Sequence, residues 1–167
     1  MLFRSGLRFE VGDIAGYAAS GPVDLSVSLH ACDTATDAAL AQAVRWQAQV
    51  ILAVPCCQHE VFGLLPDDSL PGLLRHGILK ERFAALATDA LRAALLEAVG
   101  YRTQVIEFID LEHTPKNLLL RAVRADCPAP EAKERYERLK AQLGLRDFEL
   151  ERRLSASLGV CRDSSPR

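Results

Sequence analysis

Val50-Ile51-Leu52-Ala53-Val54, closed by Pro55, is an unbroken apolar run. Five apolar residues without alternation suit a strand covered on both faces, as in a parallel sheet with helices above and below. Upstream, Val23-Asp24-Leu25-Ser26-Val27-Ser28-Leu29 places apolar residues at odd positions after a Gly21-Pro22 turn. A period of two predicts a second strand. Between the two, Thr34 and Asp37 have capping-box spacing, which predicts a helix running to about Gln47 with Leu40 and Val44 inward.

Further from the opening run, Pro66 to Gly72 concentrates proline, aspartate and glycine and reads as a loop. Leu79, Phe83, Leu86, Ala90, Leu91, Ala94 and Leu95 then recur at helical spacing, predicting a helix over 78–98 that Gly100 stops. Residues 104–109 and 117–123 read as strands. The polar loop from Asp110 to Lys116, which includes Glu112 and His113, leaves no room for a helix between them, so they form an antiparallel hairpin. Arg8 to Val11 reads as a short strand ended by Gly12-Asp13. Two amphipathic helices are expected near 131–143 and 148–158, and residues 162–167 form a frayed tail. Strands alternating with helices make the chain α/β: a mostly parallel sheet ending in an antiparallel hairpin, followed by C-terminal helices.

The chain has 167 residues, enough for one domain with a real core. A formal net charge of -2 supplies no long-range attraction to nucleic acid or anionic membrane. No stretch has the length of apolar sequence that spans a bilayer, and the first eight residues lack the apolar core of a signal peptide. The five cysteines do not resemble a secreted disulfide framework, and a bridge between adjacent Cys56 and Cys57 would be strained. A reducing cytoplasm is the simpler reading.

In an open α/β sheet, ligands bind beyond the C-terminal ends of the parallel strands. Those ends are His30-Ala31-Cys32-Asp33 and Pro55-Cys56-Cys57-Gln58-His59. Each residue also has a plainer reading: His30 as a packed core histidine, Cys32 as a small buried hydrophobe, Asp33 as a helix cap. A zinc site built from Cys56, Cys57 and His59, with His30 and Cys32, has the right ligand types. Its spacing is against it, since adjacent cysteines on an extended chain point to opposite sides, and no metal is expected. A nucleophilic cysteine lacks an evident acid partner.

Three stretches, residues 29–37 (LHACDTATD), 54–60 (VPCCQHE) and 108–117 (FIDLEHTPKN), together resemble a bacterial branch of the class I S-adenosylmethionine-dependent methyltransferases. The double cysteine followed by a histidine is also similar to a wider group that includes a tRNA 2′-O-methyltransferase family. The resemblance covers roughly residues 6–154 and implies a Rossmann-like fold, with Arg8–Val11, Val23–Leu29 and Val50–Val54 as its third, fourth and fifth strands. Residues 1–127 would then be the C-terminal part of the methyltransferase domain and 128–161 a helical extension. It further implies that Asp13 contacts the cofactor's adenine while Ile14 packs on the ring. His30, Ala31 and Cys32 would face the methionine arm, and Asp33, Pro55, Cys56, Cys57 and Gln58 would line the substrate side. His30 or His59 would take the acceptor's proton, imidazole being suited to that task near neutral pH. RNA is the acceptor class that the wider group suggests.

One departure stands out. The glycine-rich turn and second-strand acid that hold the cofactor in this family are missing; Gly12 and Gly16 sit four apart and form no such turn. These elements are expected to precede residue 1. Without them the Val23–Leu29 strand is an open edge, to be completed by a second copy or a partner chain. The rival reading is a non-catalytic half-domain that pairs through that edge.

Overall fold

A computed structural model describes residues 6, 8–29, 31–66, 70–107, 118–158 and 160. The strands are β1 (Leu25–Leu29), β2 (Val50–Val54), β3 (Tyr101–Glu107) and β4 (Leu118–Arg124). Between and after them run α1 (Thr34–Arg45), α2 (Glu60–Leu64), α3 (Pro71–Leu74), α4 (Gly77–Ala98), α5 (Ala132–Gln142) and α6 (Glu149–Leu154). Two 3₁₀ turns lie at Ile14–Gly16 and Ser155–Ser157.

The four strands form one sheet in the order β1-β2-β4-β3. β1 and β2 are parallel, and β4 is antiparallel to both β2 and β3. The hairpin is therefore as expected, and β1, β2 and β3 run in one direction with β4 alone reversed, so the sheet is mostly parallel in strand direction. The expected strand at Arg8–Val11 is absent; those residues pair with no described strand. β1 is consequently an edge strand, as expected.

Only one face of the sheet is well packed. Ser26, Ile51, Ala122 and Thr103 lie in register across the four strands, as do Ser28, Ala53, Leu120 and Val105. Ile51, Ala53, Leu120 and Ala122 of these rows are buried. The opposite row, Val27–Leu52–Arg121–Gln104, is exposed except for half-buried Leu52. Leu25, Val27 and Leu29 remain 52%, 52% and 60% accessible. The expectation of cover on both faces therefore fails among the described residues, and an apolar strip stays in water.

The core is continuous. Leu40 and Val44 of α1, Leu91, Leu95 and Leu96 of α4, and Tyr136, Phe148, Leu150 and Leu154 of the C-terminal helices form one buried cluster with β2 and β4. α5 packs on α4, and α6 packs on α1, so the C-terminal helices share the sheet's core. α4 ends where Gly100 takes φ 93°, a left-handed conformation that glycine adopts without a Cβ clash. The amphipathic helices start and stop within a few residues of expectation, while α2 and α3 are short helices flanking the expected loop. Cys127 is in a disulfide, a cross-link that the sequence did not disclose. Among the described residues no helix is long and apolar enough to cross a membrane.

Candidate functional site

The two strand ends meet. The chain leaves β1 and turns into α1 through Asp33, whose φ of 50° is left-handed, a strained conformation for a residue with a side chain. Four bonds hold that turn. The Asp33 amide donates to the Cys57 carbonyl at 3.1 Å, tying the loop after β1 to the loop after β2. Asp33 Oδ1 accepts from the amides of His59 at 2.8 Å and Glu60 at 3.1 Å. The Thr36 hydroxyl donates to the Ala31 carbonyl. Asp33 therefore caps α2, the helix across the gap, rather than α1, to which it is adjacent in sequence.

Cys32, Cys56 and Cys57 converge at this junction, their Sγ atoms all within 4.8 Å of one another. Cys32 Sγ and Cys56 Sγ are 3.4 Å apart. The argument that adjacent cysteines diverge does not hold here, because β2 ends at Val54 and the following loop is not extended strand. His59 is not part of the trio; Cys32 takes the place that the sequence offered to it. Hydrogen bonding with Cys56, then Cys57, pushes the Cys32 thiol up to about 11, so at neutral pH it is a thiol and a poor nucleophile. His30 lies outside the described residues, as do 108–117 with the third matching stretch.

Beneath the junction is a buried ionic network that sequence reasoning missed. Arg92 of α4 is fully buried and donates from Nε to Asp37 Oδ1 at 2.8 Å and from Nη2 to Asp37 Oδ2 at 3.0 Å. It also reaches Asp89 Oδ1 at 3.2 Å and the Asp33 carbonyl at 2.9 Å. Gln58 Nε2 donates to Asp89 Oδ2 at 3.0 Å, so Gln58 faces inward. Burial alone disfavours the Arg92 charge, but Asp37 and Asp89 outweigh it and hold the guanidinium above its ordinary value. The expected capping box fails for the same reason: Asp37 is engaged by Arg92. One sequence signal existed, since Asp89 and Arg92 fall on the face that also carries Thr88, Leu91 and Leu95.

Two regions flank the junction. On one side Pro55, Gln58, Arg82, Ala85, Leu86 and Leu118 line a cleft of about 460 Å³. On the other, Arg8, Asp13, Ile14, Tyr17 and Trp46 line a cleft of about 670 Å³. A smaller one of about 320 Å³ shares Ile14 and Trp46 with it and reaches Val27, Leu29 and Ala31. The Tyr17 and Trp46 rings meet edge-to-face at 5.7 Å, and Gln42 Nε2 donates to the Tyr17 carbonyl at 2.6 Å, anchoring the Asp13 turn to α1. Asp13 itself accepts from the Ala15 amide at 3.0 Å.

For a cofactor such as S-adenosylmethionine these clefts fit in part. Ile14, Val27 and Leu29 offer an exposed apolar ledge for a flat ring, with the Asp13 carboxylate at its rim. Nothing comparable to a glycine-rich turn is present for the ribose and amino-acid end.

At the α2 start, burial pushes the Glu60 carboxyl up to about 7 against the downward pull of the Glu149 amide and Arg152. Its Oε1 accepts from the Glu149 amide at 2.7 Å, whereas Oε2 is buried with no hydrogen-bond partner among the described residues. Glu60 thereby links the site loop to α6.

No curated protein and no solved structure matches the chain. A family model described as a methyltransferase domain matches residues 1–63. That span is less than half of the chain, yet it contains the Asp13 turn, both strand ends and all three clustered cysteines. The match supports a methyltransferase family and puts the converging loops inside the matched segment.

Proposed function

We propose that the chain supplies the acceptor-facing side of an S-adenosylmethionine-dependent methyltransferase site. The observation that carries this reading is that the methyltransferase-domain match spans both loops that meet at Asp33 and Cys57, beyond the ends of the parallel strands. Asp13 and Ile14 take the adenine end, and Ala31 backs the methionine arm. The cofactor, when bound, brings an electrophilic methyl group. Methyl transfer is an in-line displacement, so the protein's work is to position the acceptor and exclude water. In this reading the cleft lined by Pro55, Gln58 and Leu118 receives the acceptor, and Asp33 fixes the relative position of the two loops. An imidazole nitrogen of His59, or of His30, accepts the proton that a hydroxyl or ring-nitrogen acceptor releases.

The described residues offer no cradle for the ribose and amino-acid end, and Leu25, Val27 and Leu29 form an exposed apolar row on the edge strand. The same row favours a second reading, a half-domain that pairs with a partner chain and performs no chemistry itself. Calorimetric titration with S-adenosylhomocysteine separates the two. Weak single-site heat that ATP does not reproduce supports methyl transfer; a folded chain giving no heat with either supports pairing alone.

A further inference from the structure

We propose that Cys32, Cys56 and Cys57 form a three-thiolate site for a zinc ion, with its fourth coordination position open beside the acceptor cleft. The geometry is the first ground. Tetrahedral zinc with bonds of about 2.3 Å to sulfur places neighbouring sulfurs roughly 3.8 Å apart. The three Sγ atoms lie within 4.8 Å of one another, with Cys32 and Cys56 at 3.4 Å, so separations of that size need only small side-chain rotations.

The second ground is that the backbone carrying the thiols is already assembled. Asp33 follows Cys32 directly, and its amide bond to the Cys57 carbonyl clamps one ligand loop to the other. Its carboxylate holds the His59 and Glu60 amides on the far side of the cysteine pair. Beneath, Arg92 binds the Asp33 carbonyl and Gln58 is bound by Asp89, both from α4. Ligands fixed in this way lose little freedom when a metal arrives.

The number of thiols also decides between a metal and a disulfide. A Cys32–Cys56 bridge would use two sulfurs and leave the convergence of Cys57 without purpose, whereas a soft cation uses all three. Among the described residues no histidine or carboxylate joins the group. Three protein ligands and an open position are the arrangement of a zinc that takes water or a substrate atom as its fourth ligand. Pro55 and Gln58, which bracket Cys56 and Cys57, line the neighbouring cleft of about 460 Å³, so that ligand would arrive from there. Binding exchanges three thiol protons for one Zn²⁺, and no oxidant or reductant is involved.

Cobalt(II) titration of the reduced 167-residue chain tests the site without any methyl-transfer assay, so its outcome is separate from the function proposed above. The expected result is one equivalent bound, with near-ultraviolet thiolate-to-cobalt charge transfer and strong visible bands of tetrahedral cobalt, all displaced by zinc. Cys32→Ser, Cys56→Ser and Cys57→Ser should each weaken binding by at least about tenfold, no less than loss of a ligand's outer partner costs. His59→Gln should leave the spectrum unchanged. If a serine variant fails to fold, alkylation of the wild-type chain gives the same answer, with zinc protecting the three cysteines together. Absence of charge transfer in folded protein, or equal alkylation of the three with and without zinc, overturns the site.

Discussion

Glu60 is a carboxyl whose ionisation its surroundings oppose. Its carboxyl is raised to about 7 by burial, and one oxygen has no hydrogen-bond partner among the described residues. An acid whose folded value exceeds its unfolded value is bound more tightly as the protonated form. It therefore imposes no penalty below about pH 4.5, an increasing one up to about 7, and a constant one above. Glu60→Gln should stabilise the chain at about pH 8 by on the order of 1–2 kcal/mol, after discounting for partial solvent screening, with the gain vanishing near pH 5. Urea melts at the two pH values read this directly. Asp33 differs in kind: its left-handed backbone and its two accepted amides show that its carboxylate is occupied in holding the loops together. The sequence offers Asp33 both as a cap and as a site residue; its carboxylate caps a helix 26 residues further on, which no local pattern reveals.

At the scale of elements, α1 and α4 are joined by the buried Arg92–Asp37 pair, with both side chains fully inaccessible. Removing one partner of such a pair strands the other charge, so Arg92→Met should cost about 3–5 kcal/mol in chemical denaturation. Combining it with Asp37→Leu should cost less than the sum of the two single changes. The strands and helices themselves were largely legible. β2, α4, the β3–β4 hairpin and the C-terminal helices follow from apolar period, Gly100 and the length of the intervening loop. What was not legible is whatever depends on a distant partner. The alternation in β1 showed a strand but not which face is covered, and here the serines face the packed side while Leu25, Val27 and Leu29 face water. Arg8 to Val11 has strand-like residues and no described strand to pair with. The cysteine trio joins residues 24 positions apart through a loop whose direction the sequence does not encode.

For the whole molecule, the open β1 edge and its apolar row are the features that most need a covering segment. An exposed strand edge with apolar side chains favours association. The chain should self-associate as its concentration rises, measured by sedimentation velocity. Val27→Lys with Leu29→Lys should suppress this while changing stability by no more than about 0.5 kcal/mol, as for other exposed positions. The proposed methyltransferase role would place the adenine end of the cofactor in the clefts beside that edge. Backbone NMR of the ¹⁵N-labelled chain titrated with S-adenosylhomocysteine tests this most directly, because it registers weak binding and locates it. The account predicts saturable shifts at the amides of Asp13, Ile14 and Ala31, with Arg121 and Gln104 across the sheet unmoved. A folded chain whose amides do not shift at millimolar ligand, or shift only away from the two strand ends, would contradict it.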